Sequence, residues 1–261
     1  MLPWIFYIIA FLYGISVGSF LNVCIWRIPR GESLARPGSH CPDCGHPLGI
    51  FDLFPLFSFL ALKGRCRYCR GKISRRYPLV EFICGLLFAL VVWVYGLTWE
   101  AVYYAAFAAM LLAVSFIDLD CMIIPNLITY PGMVLGIAVP WLLNRAVPWE
   151  NLGGLALGGG LLYAVAWLCL KLLKKEGMGG GDIKLLAMIG AFTGPREVLA
   201  TVFLASFFGS AAGIWLFIWK KLSKGRIIPF GPFLALAAMI LILWGDYLFY
   251  WFGRYIKGGY Y

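Results

Sequence analysis

Charge is what this chain has least of. Asp, Glu, Lys and Arg make up 13% of its 261 residues, while 62% are hydrophobic. A soluble domain is about a quarter charged and about half apolar. The scarcity excludes an ordinary water-soluble domain and points to a polytopic membrane protein. No basic residue precedes the first apolar run, Trp4 to Trp26. The charged n-region of a secretory signal peptide is therefore missing, and the run reads as an uncleaved first span. No G-x-G-x-x-G fingerprint occurs, so a dinucleotide loop of that kind is excluded. No internal repeat or low-complexity tract is present. Acids are scarcer than bases, 12 against 22, for a net charge of +10. That excess invites a nucleic-acid reading, which the placement of the charges excludes.

Apolar runs of about 20 residues suffice to cross a hydrocarbon core of about 30 Å. About eight such spans are expected, near 4–26, 78–96, 99–118, 126–144, 152–171, 182–195, 197–219 and 229–252. The sixth is short and flanked by glycine. The loops 27–76, 119–125, 171–184 and 220–226 then fall on one side and hold 10, 0, 4 and 4 basic residues, 18 of the chain's 22. The other side keeps Arg145, Arg196, Arg254 and Lys257. Positive loops stay cytoplasmic. Both termini therefore face away from the cytoplasm, and the basic excess is a topology signal that also favours anionic lipid. Without the sixth span, Lys220, Lys221, Lys224 and Arg226 would fall on the wrong side. The fold class is all-α integral membrane protein with a small cytoplasmic segment between helices 1 and 2. The organisation is 1–26 as first span, 27–77 as cytoplasmic segment and 78–261 as membrane domain.

Four of the eight cysteines form CPDC (Cys41, Cys44) and CRYC (Cys66, Cys69), a C-x2-C-x21-C-x2-C spacing. Two tight turns each aiming two thiolates at one tetrahedral ion is the four-cysteine zinc pattern. Disulfides are rare in the cytoplasm, so the expectation is a structural Zn2+ stapling a segment too small to fold by burial alone. The competing reading is a pair of disulfides or plain thiols. His40 and His46 flank the first pair and are read as loop packing ahead of ligation.

Carboxylates inside or beside a span are costly, so function is the default reading for them. Asp118 ends an apolar run in SFIDLDCMIIPN. Asp182 follows glycines in GMGGGDIKLLAMIGA. The topology sets both at the same depth on the cytoplasmic side. Two carboxylates on different helices are the equipment of an aspartic protease, one activating water and its protonated partner polarising the scissile carbonyl. Asp120 lies two residues on and points elsewhere on the helix; the deeper Asp118 is favoured over it. Gly179, Gly180 and Gly181 would allow a substrate backbone to approach Asp182 closely. The bland alternative for Asp182 is a helix N-cap. Lys184 would meet headgroup phosphate or tune the pair.

These residues resemble the type IV prepilin leader peptidases, bifunctional prepilin peptidase/N-methyltransferases, over essentially the whole chain. GMGGGDIKLLAMIGAFTG resembles the GxGD-bearing block, with Gly179, Gly181 and Asp182 in its places. FIDLDCMIIPN resembles the block of the other catalytic aspartate, corresponding to Asp118. GSFLNVCIWRIPRGES, the two CxxC pairs and RRYPLVEFICG resemble further blocks in family order. Asn126 stands where Asp is frequent. The resemblance implies a multi-pass enzyme of the bacterial inner membrane. It would cleave the basic leader of type IV prepilins or type II secretion pseudopilins on the cytoplasmic side. It would then methylate the new N-terminus with S-adenosylmethionine. Some family members lack the cysteines, which fits a structural zinc. By the same resemblance 27–76 and its neighbouring spans carry methylation. Glu81 is the candidate there, either contacting the amine or cofactor or serving as a helix-start carboxylate favoured by the dipole. Membrane lipids are expected partners; nucleic acid is not.

Three other readings compete. One is a peptidase without methyltransferase activity, which the zinc-bearing segment opposes. Another is a cation or proton transporter with a zinc-stapled loop, which would set its carboxylates near mid-membrane. The third is a scaffold of a secretion machine.

Overall fold

A computed structural model describes residues 2–143, 148–174, 179–219 and 228–256. Lys175, Gly177, Arg145, Lys220, Lys221, Lys224, Arg226 and Lys257, which enter the reading above, lie outside them. The described residues form nine helices: α1 (Trp4–Arg27), α2 (Phe57–Ala61), α3 (Arg76–Tyr95), α4 (Trp99–Cys121), α5 (Asn126–Leu142), α6 (Pro148–Leu173), α7 (Gly180–Thr193), α8 (Pro195–Ile218) and α9 (Gly231–Ile256). No strand occurs among them; only two isolated bridges do, His40 with Pro47 and Arg65 with Lys72.

Six helices, α1, α3, α4, α6, α8 and α9, are long and apolar enough to cross a membrane. The chain is a multi-pass, all-helical membrane protein. The expected fourth and sixth spans are helices too, but shorter. α5 has 17 residues with Pro131 and Pro140 inside it. α7 has 14, about 21 Å at 1.5 Å per residue. The reason for its shortness lies in its surroundings. Leu185 to Phe192 are all buried, and α5, α6, α8 and α9 pack around it. A helix apolar on every side and enclosed by others does not have to match the hydrocarbon thickness.

The chain divides into two compact units between Ile117 and Asp118. In the first, α1 lies along α3. A Cβ on Gly14 would stand 2.8 Å from the Gly85 Cα, and one on Gly18 would stand 2.7 Å from the Glu81 Cα. Lipid is as apolar as leucine, so helices in a bilayer associate through close packing, and small residues permit it. In the second unit α6 and α7 use the same device: a Cβ on Gly154 would run into the Gly190 backbone. Asn151 completes this joint. Its Nδ2 donates to the Gly136 carbonyl of α5 at 3.1 Å and to the Ala191 carbonyl of α7 at 2.6 Å.

Candidate active site and metal centre

Asp118 sits in the last turn of α4 and is 6% exposed. Its Oδ2 accepts the backbone N–H of Gly231 at 3.1 Å. The Phe230 carbonyl takes the N–H groups of Phe233 and Leu234, so Gly231 is the first residue of α9 and its N–H has no partner within the helix. The carboxylate fills that vacancy across 113 residues of chain. The approach requires glycine, because a Cβ at 231 would lie 2.6 Å from Asp118 Oδ2. Asp120, two residues on, is exposed. Asp118 is thus the more buried of the two carboxylates.

Asp182 lies in the first turn of α7, behind the N-cap Gly179, and its N–H donates to the Gly179 carbonyl at 3.2 Å. It is half-buried, and its carboxylate feels the charge of Asp118. One side chain ties the two helix ends together. Ile124 stands 2.9 Å from where a Gly181 Cβ would be and 3.4 Å from where a Gly231 Cβ would be. The missing side chain of Gly181 is therefore used by this chain's own Ile124. Gly180 has nothing within 4 Å of its Cβ position, and Gly179 only the Asp182 carboxylate and the Gly181 amide at its limit. The open approach is at Gly179 and Gly180. Lys184 meets a different partner from those expected: it donates to Asn126 Oδ1 at 2.9 Å and lies 5.7 Å from the Tyr130 ring.

The four cysteines converge. Cys41, Cys44, Cys66 and Cys69 offer sulfurs that all lie within 4.8 Å of one another, and Cys41 Sγ is 3.9 Å from Cys69 Sγ. A tetrahedral zinc with bonds of about 2.3 Å sets its sulfurs about 3.8 Å apart. The donor set fits zinc, and no disulfide forms among the described cysteines. Both halves share one construction. Gly45 N–H and Arg70 N–H return to the Cys41 and Cys66 carbonyls, while Cys41 and Cys66 N–H donate to His46 and Gly71. Gly45 and Arg70 hold the same left-handed turn, at φ 70° and 61°. The backbone N–H groups of Cys69 and Tyr68 reach the Cys66 sulfur and favour its thiolate. His40 Nδ1–H donates to the Gly38 carbonyl at 3.0 Å and His46 stacks on Tyr68. Asp52 joins the halves through Arg67 and the Gly49 N–H.

Glu81, in α3, is buried and accepts the Leu56 N–H at 2.8 Å; the Ser19 hydroxyl also reaches it. It thus fastens the loop residue Leu56, whose φ is 60°, to α1 and α3. One turn along, Asn22 is 2% exposed, donates to the Tyr77 carbonyl, and leaves its Oδ1 without a donor.

Residues 12–95 match the bacterial peptidase A24 N-terminal domain, and 105–214 match the type IV leader peptidase family. The prepilin leader peptidase/N-methyltransferase of Stutzerimonas stutzeri is 38% identical over 94% of this chain and 92% of its own. That of Pseudomonas putida is 37% identical over 95% and 94%. That of Neisseria gonorrhoeae is 34% identical over 91% and 90%. The chain belongs to the prepilin leader peptidase/N-methyltransferase family. No solved structure is a significant match.

Within this prepilin peptidase the two matched stretches divide the candidate residues. Glu81 and the four cysteines fall in the first, Asp118 and Asp182 in the second. Sequence reasoning missed Gly231 and Asn22. A Gly-Pro pair opening an apolar run is a helix-start signal, but nothing local says which carboxylate would meet its amide. Asn22 is one polar residue in an apolar span, a signal that was legible and passed over.

Proposed function

We propose that this chain is an integral-membrane aspartyl endopeptidase that removes the leader of type IV prepilins or pseudopilins and then N-methylates the new N-terminus. The observation that supports the peptidase half is that Ile124 packs against both Gly181, beside Asp182, and Gly231, whose N–H donates to Asp118, so that one side chain links the two carboxylate-bearing helix ends. Two carboxylates brought together there would share a proton as one coupled pair. One takes a proton from water while the other gives one to the scissile carbonyl. The transporter reading calls for mid-membrane carboxylates, whereas both of these lie in terminal turns. The positive loops favour the cytoplasmic face of the inner membrane as the place of cleavage. A prepilin carries its apolar segment after a basic leader, so the bond to be cut would lie at that depth.

For the methylation half, S-adenosylmethionine supplies an electrophilic methyl group. Glu81 and the donor-less Oδ1 of Asn22 are buried acceptors suited to an ammonium, in the substrate amine or the cofactor. The four-cysteine site would hold Zn2+ as a staple of the segment that Glu81 grips at Leu56.

Cleavage of a prepilin by the purified chain in lipid, beside Asp118→Asn and Asp182→Asn, tests the reading. Shortening by the wild type and its loss in either variant is the expected result. Cleavage that survives Asp118→Asn would make Asp120 the partner of Asp182. Unchanged prepilin with folded wild-type protein would return weight to the transporter or scaffold. Mass analysis of the cleaved product with and without S-adenosylmethionine tests methylation, and Glu81→Gln should abolish the methyl adduct while leaving cleavage.

A further inference from the structure

We infer that the backbone N–H of Gly231 is a positioning donor that makes Asp118 the ionised, water-activating member of the pair and leaves Asp182 as the protonated one. The inference rests on the peptidase reading and assigns its two roles.

The two carboxylates have unlike surroundings. Asp118 Oδ2 accepts the Gly231 N–H at 3.1 Å, at the first residue of a 26-residue helix. Helix N-termini favour negative charge, and a hydrogen bond from an amide to a carboxylate is stronger when the carboxylate is ionised. Asp182 also lies in a first turn, but its own N–H turns back to Gly179, and no donor from another element to its carboxylate is present among the described hydrogen bonds. The groups set around Asp118 are few. From α7 come Asp182 and, two residues on, Lys184, which is directed to Asn126 at the start of α5. Tyr130 lies beyond it on α5. On α4 itself Asp120 and Cys121 follow and are exposed. The opening turns of α9, Gly231 to Ala238, carry no charged side chain, and neither does α8 from Val198 to Ile218. The Gly231 amide is thus the one described donor to Asp118.

The chemistry balances with these roles. Asp118 takes a proton from water as the oxygen–carbon bond forms, and Asp182 gives its proton to the carbonyl oxygen, yielding a geminal diol. The carbon–nitrogen bond then breaks. The leaving amine takes the proton now on Asp118, and Asp182 recovers one from the diol. Gly231 acts through Asp118, whose Oδ2 accepts its N–H.

The test is the pH–rate profile for cleavage of a full-length type IV prepilin by the full chain in lipid nanodiscs. Three proteins are compared: wild type, Gly231→Ala, whose Cβ displaces the Asp118 carboxylate, and a chain with glycolate at 231, which replaces only the amide N–H by an ester oxygen. The acid limb of a dyad profile reports the group that must be ionised, and the alkaline limb the group that must be protonated. Loss of the donor should move the acid limb to higher pH by about 1 unit and leave the alkaline limb in place. Movement of the alkaline limb instead would make Asp182 the base and overturn the assignment. An ester variant with both limbs unmoved would overturn it too. No cleavage by the wild type would be the different failure, that of the peptidase reading itself.

Discussion

Lys184 donates to Asn126 Oδ1 at 2.9 Å, joining α7, two residues past Asp182, to the first residue of α5. The partner is a neutral amide, at a position where the family resemblance makes Asp frequent. Asn126→Asp would turn this hydrogen bond into an ion pair at a partly exposed site, worth about 0.2–1 kcal/mol. The expected outcome is a slightly higher melting temperature that falls back as salt is added, with cleavage retained. Thermal unfolding at low and high ionic strength checks it.

Asn151 is the polar joint of α5, α6 and α7. Asn151→Leu removes two hydrogen bonds inside the second unit and inserts a branched side chain among close-packed backbones. A loss of about 1–3 kcal/mol is expected. Unfolding in detergent should show it, while zinc content stays at the wild-type level because the cysteines belong to the first unit.

Gly18 marks the closest approach of α1 to the Glu81 backbone. Gly18→Ala would set a Cβ 2.7 Å from the Glu81 Cα, and overpacking of this kind costs about 1–3 kcal/mol. Methylation is expected to fall before cleavage does. The mass of the processed pilin separates the two, since a shortened but unmethylated product is the expected species.

Asp52 supplies a pH dependence with a definite sign. The hydrogen bond from Arg67, at 2.6 Å, holds the Asp52 carboxyl below its ordinary 3.8. A depressed folded value means that the stabilisation is fully present above about pH 4 and is lost as pH falls through the folded value. Asp52→Asn should therefore lower the melting temperature at neutral pH, with the gap to wild type closing under acid. Zinc bound per chain, measured across the same range, should fall further in the variant. Cys41→Ser should lose the metal at every pH.

Much of this protein was legible in its sequence. All eight apolar runs are helices, with ends within a few residues of those expected, because a bilayer leaves the backbone no alternative to internal hydrogen bonding. The cysteine cluster was equally legible, since two C-x2-C turns can satisfy one tetrahedral ion almost regardless of what lies between them. Asp118 and Asp182 stood out because charge at a membrane boundary is costly. The sequence also carried family membership, through an ordered set of blocks that spacing alone does not produce.

Other features only the tertiary structure decided. Apolar length cannot tell a helix facing lipid from one enclosed by four others, so the sequence did not show that α7, expected as the short sixth span, is packed round by α5, α6, α8 and α9. The roles of the three glycines before Asp182 were equally hidden. Gly181 is occupied by Ile124 from a different helix boundary, and Gly180 remains open. Lys184 and Asn126 are 58 residues apart, and Asp118 and Gly231 are 113 apart. A composition or a periodicity reports what each segment prefers within a few turns. Which carboxylate receives which amide depends on the packing of helices against one another, and that exists only once the chain is folded.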